Sequence, residues 1–274
     1  MLLAHDIIGD RAAARCAIFL HGVLGSRNNW KSFAQKFAGA HPAWRAVIAD
    51  LRNHGDSHGF PPPHTVAACA DDVRELAGSL GGVDVVIGHS YGGKVALSLL
   101  DAPQLRAVWS LDAPPGPRTF ADDRNSGGEI ERVLAAVRAV ALPIASRRAL
   151  VHDLKARGLA EPLTLWMTTN LRPLQASDPE AGLTWRFALD AVDEMVRSFG
   201  ALDLWPALER RHAASPRVIL VQAERGARYT SADVARAQAL TSSSVAFRVL
   251  HDAGHWLHTD NPAGLLALID AELS

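Results

Sequence analysis

The segment Gly88-His89-Ser90-Tyr91-Gly92 constrains the fold of this chain more than any other stretch. It fits the pattern G-x-S-x-G, follows the apolar run 83–87 and precedes a helical pattern over 94–100. Glycines on both sides of a serine let a strand and a helix approach closely at a sharp turn. Such a turn exposes the serine hydroxyl at a helix N-terminus, where backbone N–H groups favour negative charge. The segment therefore predicts a reactive serine, and the alternative is an ordinary strand-to-helix turn.

Short apolar runs alternate with helical patterns through the first 112 residues and again after residue 212. This alternation predicts βαβ units and a mainly parallel central sheet flanked by helices. The predicted strands cover 16–20, 45–49, 83–88, 105–111, 217–223 and 245–250. The predicted helices cover 29–39, 65–80, 91–101, 128–141, 146–157, 161–171, 189–199, 231–240 and 262–272.

Residues 113–212 show several amphipathic helical patterns and no convincing strand. We therefore expect one α/β core domain, formed by 1–112 and 213–274, with a helical cap inserted at 113–212. The cap should lie over Ser90. Because a stripe at helical spacing is usually core, we expect most of its apolar side chains to pack the cap against the sheet and a few to line a pocket. The candidates are Leu163, Leu165, Trp166, Met167, Phe187, Met195 and Phe199.

A serine nucleophile needs a neighbouring base, and His255 is the best candidate among the twelve histidines. It lies in Asp252-Ala253-Gly254-His255-Trp256, between the last predicted strand and the last predicted helix. That loop is at the sheet edge where open α/β sheets keep their sites. His251 and His258 are nearby alternatives, and a histidine that only caps the last helix is a third interpretation.

The base needs an acid that orients it. Asp112 directly follows the strand after the serine's helix, and it gives the chain order Ser…Asp…His. The other usual place for the acid is after the strand 217–223, where the sequence offers Glu224 and no aspartate before Asp233. We predict Asp112 and keep Glu224 and Asp233 as alternatives. A turn-forming aspartate is the structural alternative for Asp112.

An oxyanion that develops during acyl transfer needs two backbone N–H donors. The N–H of Tyr91, directly after the serine, is predicted to be one of them. The second donor should come from the loop His21-Gly22-Val23-Leu24-Gly25-Ser26 after the first predicted strand. We predict Val23 there, with Leu24 as the alternative, and a plain glycine-rich turn as the structural alternative.

Composition excludes several classes of protein. The 274 residues carry 28 Lys and Arg against 29 Asp and Glu, so there is no basic surface that indicates nucleic-acid binding. No apolar run reaches the length of about 20 residues that spans a bilayer. The first ten residues lack the pattern of a signal peptide, which predicts a location in the cytoplasm or an organelle lumen and leaves open whether a transit peptide was removed. Cys16 and Cys69 share no metal-binding spacing and are expected to be reduced, buried thiols.

The segments that carry these residues resemble those of α/β-hydrolase fold proteins, with HG-x-x-GS, GHS-x-GG and AGHW-x-H in the same order. Four segments are most similar to the small-esterase group that contains the bacterial esterase YbfF and the mitochondrial ABHD-eleven-type hydrolases; they lie at 50–59, 88–94, 110–116 and 253–262. The segment 124–142 and the sequence TDNPAGLL look most like plant and algal members. The resemblance covers nearly the whole chain and is weakest over 140–215. In this group the acid follows the strand after the nucleophile helix, which implies Asp112.

The resemblance and the candidate triad Ser90, Asp112 and His255 imply a serine esterase with the α/β-hydrolase fold. It would cleave carboxylic esters, or thioesters, of small to medium apolar acyl groups and would need no metal or organic cofactor. Two alternatives keep the same fold: a C–C bond hydrolase or cofactor-free lyase that uses the same triad, and a ligand-binding protein without catalysis. The expected partner is a small-molecule ester, and the sequence does not indicate an oligomeric state. His54 and Asp56 are expected to fix a loop rather than to do chemistry.

Overall fold

The computed structural model describes residues 1–102, 104–118, 127–211 and 216–273, and of residues 127–129 and 179 the backbone alone. Its strands are β1 (His5–Ile8), β2 (Arg15–Leu20), β3 (Trp44–Ala49), β4 (Val85–His89), β5 (Ala107–Leu111), β6 (Leu171–Gln175), β7 (Asp178–Trp185), β8 (Arg217–Ala223) and β9 (Val245–Leu250). Its helices are α1 (Lys31–Ala40), α2 (Val66–Ser79), α3 (Tyr91–Leu97), α4 (Gly127–Arg138), α5 (Arg147–Ala156), α6 (Glu161–Thr168), α7 (Leu189–Ala201), α8 (Trp205–Glu209), α9 (Ser231–Ala239), α10 (Leu257–Asp260) and α11 (Pro262–Leu273). None of the helices in the described part of the chain is long and apolar enough to cross a membrane.

Seven strands form one sheet in the order β1-β3-β2-β4-β5-β8-β9. Neighbouring strands pair in parallel, except that β1 pairs antiparallel with β3. The prediction of a mainly parallel sheet is therefore confirmed, and every predicted strand is present. Because the strands are parallel, the carboxyl ends of β2, β4, β5 and β9 lie at the same edge of the sheet. The four loops that follow them carry the predicted site residues.

Helices cover both faces of this sheet, which is why its central strands are apolar on both sides. All five residues of β4 and all five of β5 are buried. One face packs against α2 and α3 through side chains such as Val73 and Val95, and α7 packs on these two helices and adds Met195 to the same cluster. The opposite face packs against α1 and α11 through Phe33 and Leu265. The two layers of helices hold the strand ends, and so the site loops, in fixed positions.

The predicted cap has a hydrophobic cluster of its own, formed mainly by α4 to α7 and the β6–β7 pair. Leu24 from the loop after β2 is also a member of this cluster, so the cap packs directly on that loop. The end of the predicted cap behaves differently, because Met195 of α7 and Trp205 of α8 belong to the cluster of the sheet. Residues 119–126 and 212–215, which include one predicted boundary and the first residues of the segment 124–142, lie outside the described residues. The division at residues 113 and 213 stays a prediction.

The expectation that residues 113–212 contain no strand is wrong. The strands β6 and β7 form an antiparallel two-stranded sheet there, so the cap is not purely helical. In β6, Leu171 is buried and the four residues after it are exposed, so the strand lacks the apolar alternation by which half-buried strands are recognised. Pro173 also argues against a strand on sequence grounds. The edge strand β1 was not predicted either, because it has four residues and none is buried.

Candidate active site

Ser90 lies at the sharp turn between β4 and α3. Its backbone has φ 53° and ψ −117°, a positive-φ conformation that residues other than glycine rarely adopt. Hydrogen bonds hold the turn: the N–H of Ser90 donates to the carbonyl of Leu111 at 2.9 Å, and the N–H of Gly93 donates to the carbonyl of Ser90 at 2.8 Å. This strained strand–turn–helix geometry is what the G-x-S-x-G pattern predicts, and it places Ser90 in the wall of a large cavity.

Steric crowding explains why glycines occupy positions 88 and 92 on either side of Ser90. A Cβ atom on Gly88 would overlap the carbonyl oxygen of Gly92. A Cβ atom on Gly92 would lie 2.7 Å from the carbonyl oxygens of Leu20 and His21. Neither position has room for a side chain, because β4, α3 and the end of β2 approach each other closely here. The two glycines therefore allow the close approach that the serine's turn requires.

Asp112 and His255 are joined by a hydrogen bond of 2.8 Å between the carboxylate Oδ2 and the ring Nδ1. Asp112 follows β5 and is 1% exposed, and His255 lies in the loop after β9. The second carboxylate oxygen accepts from the N–H of Ala223 at 3.3 Å. Because a carboxylate only accepts hydrogen bonds, Nδ1 of His255 carries the proton of this bond, and in the neutral ring Nε2 is then the nitrogen with the lone pair. The ring is thus in the tautomer that a general base needs.

His255 and Ser90 line the same cavity. In the described part of the chain, the ring of His255 forms its hydrogen bond with Asp112 and none with Ser90 Oγ. Long or unformed serine–histidine contacts are common before a substrate binds. The serine, the imidazole and the buried carboxylate therefore line one cavity.

The loop after β2 runs directly against the serine. A Cβ atom on Gly22 would lie 3.2 Å from Cβ of Ser90. The N–H of Leu24 donates to Nε2 of His54 at 3.2 Å, so it is not available to a ligand. Val23 lines the cavity, and its N–H donates to no described residue. Tyr91 is the first residue of α3, where a backbone N–H has no partner within the helix.

Comparison with known proteins agrees with this geometry. A family model described as the alpha/beta hydrolase family matches residues 17–268. The chain belongs to the α/β-hydrolase family. It is 25% identical to the mouse sn-1-specific diacylglycerol lipase ABHD11 over 99% of this chain and 85% of the mouse protein. It is 26% identical to the 2-succinyl-6-hydroxy-2,4-cyclohexadiene-1-carboxylate synthase of Klebsiella pneumoniae strain 342 over 98% of both chains.

The solved structures that this α/β hydrolase resembles share its fold. A marine microorganism esterase superposes with a TM-score of 0.82 at 20% identity, over 98% of both chains. An E-2-(acetamidomethylene)succinate hydrolase superposes with a TM-score of 0.78 at 19% identity, over 99% of this chain and 94% of the other. The family, the relatives and the fold together support a hydrolase activity.

The alternative acids and bases of this hydrolase have other partners. Glu224 accepts a hydrogen bond from the exposed His251 at 2.8 Å, and that bond raises the pKa of His251. Asp233 accepts hydrogen bonds from the N–H and hydroxyl of Thr230 at the start of α9. None of these three side chains lines the cavity of Ser90. His258 does line it, but burial lowers its pKa to about 4, which makes it a weak base.

The cavity over Ser90 has a volume of about 520 Å³ and mostly apolar walls. The cap supplies part of them. Of the candidates named from the sequence, Leu163, Trp166 and Phe199 line the cavity. Met167, Phe187 and Met195 are buried elsewhere in the packing, and Leu165 is 53% exposed. The core adds Val23, Leu24 and Trp256 to the walls, and Pro114, just after β5, adds another apolar side chain.

Sequence reasoning missed a contact between His89 and His255. The Nε2 of His89 donates to the backbone carbonyl of His255 at 2.7 Å, and the two rings lie 4.7 Å apart. Burial lowers the pKa of His89 well below its usual range, so this ring is neutral. His89 is the residue before the serine in G-x-S-x-G, and that position is the one signal in the sequence that could have pointed to it. The hydrogen bond from His89 connects the loop that contains His255 to the turn that contains Ser90.

The histidines at 54, 58 and 64 do not assemble a metal site. Among the described residues, no three His, Cys, Asp or Glu side chains are grouped so that they could hold a metal ion. Both ring nitrogens of His54 are already hydrogen-bonded, one to the carbonyl of Arg52 and one to the N–H of Leu24. Asp56 pairs with Arg27 at 2.9 Å and with Arg186 at 2.5 Å. His54 and Asp56 thus have structural contacts in the loop after β3.

Proposed function

We propose that this chain is a serine esterase that cleaves carboxylic esters through an acyl-enzyme, with Ser90 as nucleophile, His255 as general base and Asp112 as orienting acid. The observation that carries this proposal is the 2.8 Å hydrogen bond that fixes His255 in its Nδ1–H tautomer beside the strained turn of Ser90. A protein of this fold that only bound a ligand would need neither the strained backbone at Ser90 nor the buried carboxylate of Asp112.

The reaction has two halves. Nε2 of His255 takes the proton of the Ser90 hydroxyl as Oγ attacks the ester carbonyl, and the C=O electron pair moves to the oxygen. The tetrahedral intermediate collapses, the C–O bond breaks, and the alcohol leaves with the proton from Nε2. Water then attacks the acyl-enzyme with the same help from His255, which releases the acid and the free serine. General-base catalysis of this kind contributes roughly 10²–10⁴-fold.

The N–H groups of Val23 and Tyr91 form the oxyanion hole in this proposal. Both belong to segments in contact with Ser90, and the alternative donor, the N–H of Leu24, is already bonded to His54. Loss of one oxyanion donor costs about 10²–10³ in kcat in other enzymes. Asp112 stays ionised and offsets the positive charge that His255 acquires in the transition state.

The cavity supports one substrate class in this proposal. Its volume of about 520 Å³ and its apolar walls suit an acyl group of small to medium size. Leu163, Trp166 and Phe199 of the cap would contact the acyl chain. The mouse relative is named an sn-1-specific diacylglycerol lipase, and that name supports an acyl ester as the substrate here. A thioester has the same acyl half and is a second substrate type for this site.

A lyase-type reaction on the same residues is the second candidate. A relative that covers the whole chain at 26% identity is named a synthase for a succinyl-bearing carboxylate, not an esterase. Arg118, which pairs with Asp233 at 3.6 Å, and Arg228 line the cavity beside its apolar walls and add positive charge near a carboxylate-bearing substrate.

The deciding experiment is hydrolysis of p-nitrophenyl esters from acetate to palmitate by the wild type, Ser90→Ala and Ser79→Ala. Ser79 is exposed at the end of α2 and serves as the matched serine control. We expect the wild type and Ser79→Ala to turn over the esters, and Ser90→Ala to lose nearly all activity. A fluorophosphonate should label the wild type on the peptide that contains Ser90.

Two outcomes would contradict the esterase proposal. If the wild type and Ser90→Ala are equally slow on every ester and the fluorophosphonate does not label Ser90, the serine is not a nucleophile. If Ser90 is labelled but no ester turns over, the serine is reactive and the lyase-type candidate takes precedence. The chain length with the highest kcat/KM measures how much of the cavity the acyl group fills.

A further inference from the structure

Two buried histidines, His21 and His54, lie beside the loop that contains Val23. The Nδ1 of His21 bonds to the carbonyl of Gly22 at 2.7 Å, and its Nε2 accepts from the N–H of Leu51 at 3.0 Å. The Nδ1 of His54 bonds to the carbonyl of Arg52 at 3.0 Å. A carbonyl only accepts and a backbone N–H only donates, so both rings carry their proton on Nδ1 and none on Nε2.

Both rings are neutral as well as fixed in tautomer. Their centroids are 5.2 Å apart, and both side chains are at most 1% exposed. Burial lowers the pKa of both rings, and that of His54 falls to about 3. A positive charge on either ring would meet a backbone N–H at Nε2, which is a further reason why these histidines do not act as acids or bases. Their hydrogen bonds join the loop after β2 to the loop after β3.

The residue that donates to His54, Leu24, has a strained backbone conformation. Leu24 has φ 62°, in the left-handed region that a leucine side chain rarely adopts. On one side, its N–H is held by Nε2 of His54 at 3.2 Å. On the other side, its side chain is 1% exposed in the hydrophobic cluster of the cap. Together, the hydrogen bond and the packing of the side chain stabilise a positive-φ conformation that is unfavourable for leucine.

We propose that His54 is a positioning residue for the oxyanion hole: by holding the N–H of Leu24, it fixes the turn that leaves the N–H of Val23 to the oxyanion. This inference rests on the proposed esterase function. His54 itself does not touch the reacting atoms, and it acts through the backbone of residues 23 and 24.

The cap holds His54 in turn. The backbone of His54 forms an antiparallel bridge with Phe187, which follows β7, and the two rings are 6.2 Å apart. The N–H of Ala188 donates to the carbonyl of Asn53 at 3.0 Å. The loop after β3 is therefore clamped between the oxyanion loop on one side and the end of the cap hairpin on the other. This explains why a histidine 30 residues from Leu24 can set the position of its amide.

The test compares His54→Gln with His54→Asn in the full chain. A glutamine amide reaches about as far as Nε2 of histidine and can accept from the N–H of Leu24, whereas an asparagine amide reaches only as far as Nδ1. The matched control is His58→Asn, an exposed histidine of the same loop. The readouts are kcat and KM on the best p-nitrophenyl ester, and the affinity for phenylboronic acid, whose adduct with a serine places an anionic oxygen in the hole.

We expect His54→Asn to lower kcat about 10²-fold, with KM within threefold of the wild type and a parallel loss of boronate affinity. His54→Gln should have a kcat and a boronate affinity within about tenfold of the wild-type values. His58→Asn should match the wild type in both. Equal losses in His54→Asn and His54→Gln would overturn the inference, because the acceptor for Leu24 would then not matter. So would a His54→Asn variant that equals the control.

Amide hydrogen exchange on the wild type is a second test, which can be carried out even if His54→Asn does not fold. We expect the Leu24 amide to exchange slowly with and without phenylboronic acid, and the Val23 amide to become slow when the boronate binds. A Leu24 amide that exchanges freely would refute the role of His54. If Ser90→Ala keeps the full esterase activity, the proposed function fails, while the Leu24 amide still reports on the bond to His54 independently.

Discussion

The Oδ2 atom of Asp112 lies 2.8 Å from Nδ1 of His255, although 143 residues separate the two in the chain. The sheet explains the contact, because β5 and β9 are separated by β8 alone. The N–H of Ala223, at the end of β8, donates to the other oxygen of the same carboxylate at 3.3 Å. The strand between acid and histidine thus also holds the acid.

Asp112→Asn tests this relationship. An asparagine amide offers a donor to Nδ1, which favours the wrong tautomer and removes the charge that stabilises the imidazolium. We expect kcat on the best ester to fall about 10³–10⁴-fold with little change in KM. The control is Glu224→Gln, at the exposed carboxylate that pairs with His251, and it should leave kcat unchanged. If Asp112→Asn keeps the wild-type kcat, or if Glu224→Gln loses much of it, the orienting acid is not Asp112 after β5 and must be sought in the loop after β8.

Gly88→Ala tests the close approach at the serine's turn. The new methyl group would overlap the carbonyl of Gly92, so the strand and the helix must separate. We expect the free energy of unfolding to fall by at least about 3 kcal/mol, measured by urea denaturation. Gly78→Ala is the control, because a Cβ at Gly78 in α2 meets nothing within 4 Å. It should raise stability by about 0.5–1 kcal/mol. Equal stability of the two variants would show that the turn has room to spare.

Lys94→Met tests a buried lysine that joins α3 to the end of α7. The Nζ of Lys94 donates to the carbonyls of Gly116 at 2.7 Å, Phe199 at 2.8 Å and Leu202 at 2.9 Å. Methionine keeps the length of the side chain and leaves three buried carbonyls without this donor. We expect a loss of about 3 kcal/mol in the free energy of unfolding.

The control for Lys94→Met is Lys155→Met, at an exposed lysine that pairs with Glu161 at 3.3 Å. Such surface pairs contribute about 0–1 kcal/mol, so this variant should unfold close to the wild type in urea. If Lys94→Met is as stable as Lys155→Met, the three carbonyls have found other donors, and Lys94 does not hold the end of α7 to α3.

The buried His54 predicts a loss of stability in acid. Burial lowers its pKa to about 3 in the folded chain, against roughly 6.5 in the unfolded chain. Between these values the unfolded chain binds the proton and the folded chain does not, so stability falls as the pH drops below about 6.5. From pH 7.5 to pH 5 this one group should cost about 2 kcal/mol.

Urea denaturation of wild type and His54→Gln at the two pH values measures this contribution. Because glutamine does not titrate, the variant should lose about 2 kcal/mol less than the wild type between pH 7.5 and pH 5. His152→Gln, on the exposed side of α5, is the control for loss of one histidine. The same pH dependence in His54→Gln and the wild type would mean that His54 takes up its proton without unfolding.

The parallel core of the fold could be predicted because its strands are unbroken apolar runs. The bounds of β8 and β9 agree with the sequence prediction to the residue. The strands β1, β6 and β7 were missed because edge and hairpin strands bury little and follow no apolar pattern. The pairing of β1 also depends on a strand far along the chain, as in the pair His5 and Ala49. Such contacts leave no local signal in the sequence.

The candidate site was predictable to the level of the loops that carry it. The G-x-S-x-G pattern, the chain order, the strand ends and the family resemblance together selected Ser90, Asp112 and His255, and the structure brings the three to one cavity. Their catalytic roles stay a prediction. The sequence predicted Val23 as the donor with Leu24 as the alternative, but it did not predict the hydrogen bond from the N–H of Leu24 to a histidine in another loop. The contact of His89 with the His255 carbonyl has the same long-range origin.

The burial of Leu24 in the cap's hydrophobic cluster has a consequence for protein engineering. Exchanging the cap for that of a relative is an obvious route to a new substrate range, because the cap supplies part of the cavity wall. In this protein such an exchange would also replace the side chains that hold the strained residue beside Val23. A chimera would therefore change its turnover along with its specificity, and a successful graft must be selected together with the segments 21–26 and 50–57.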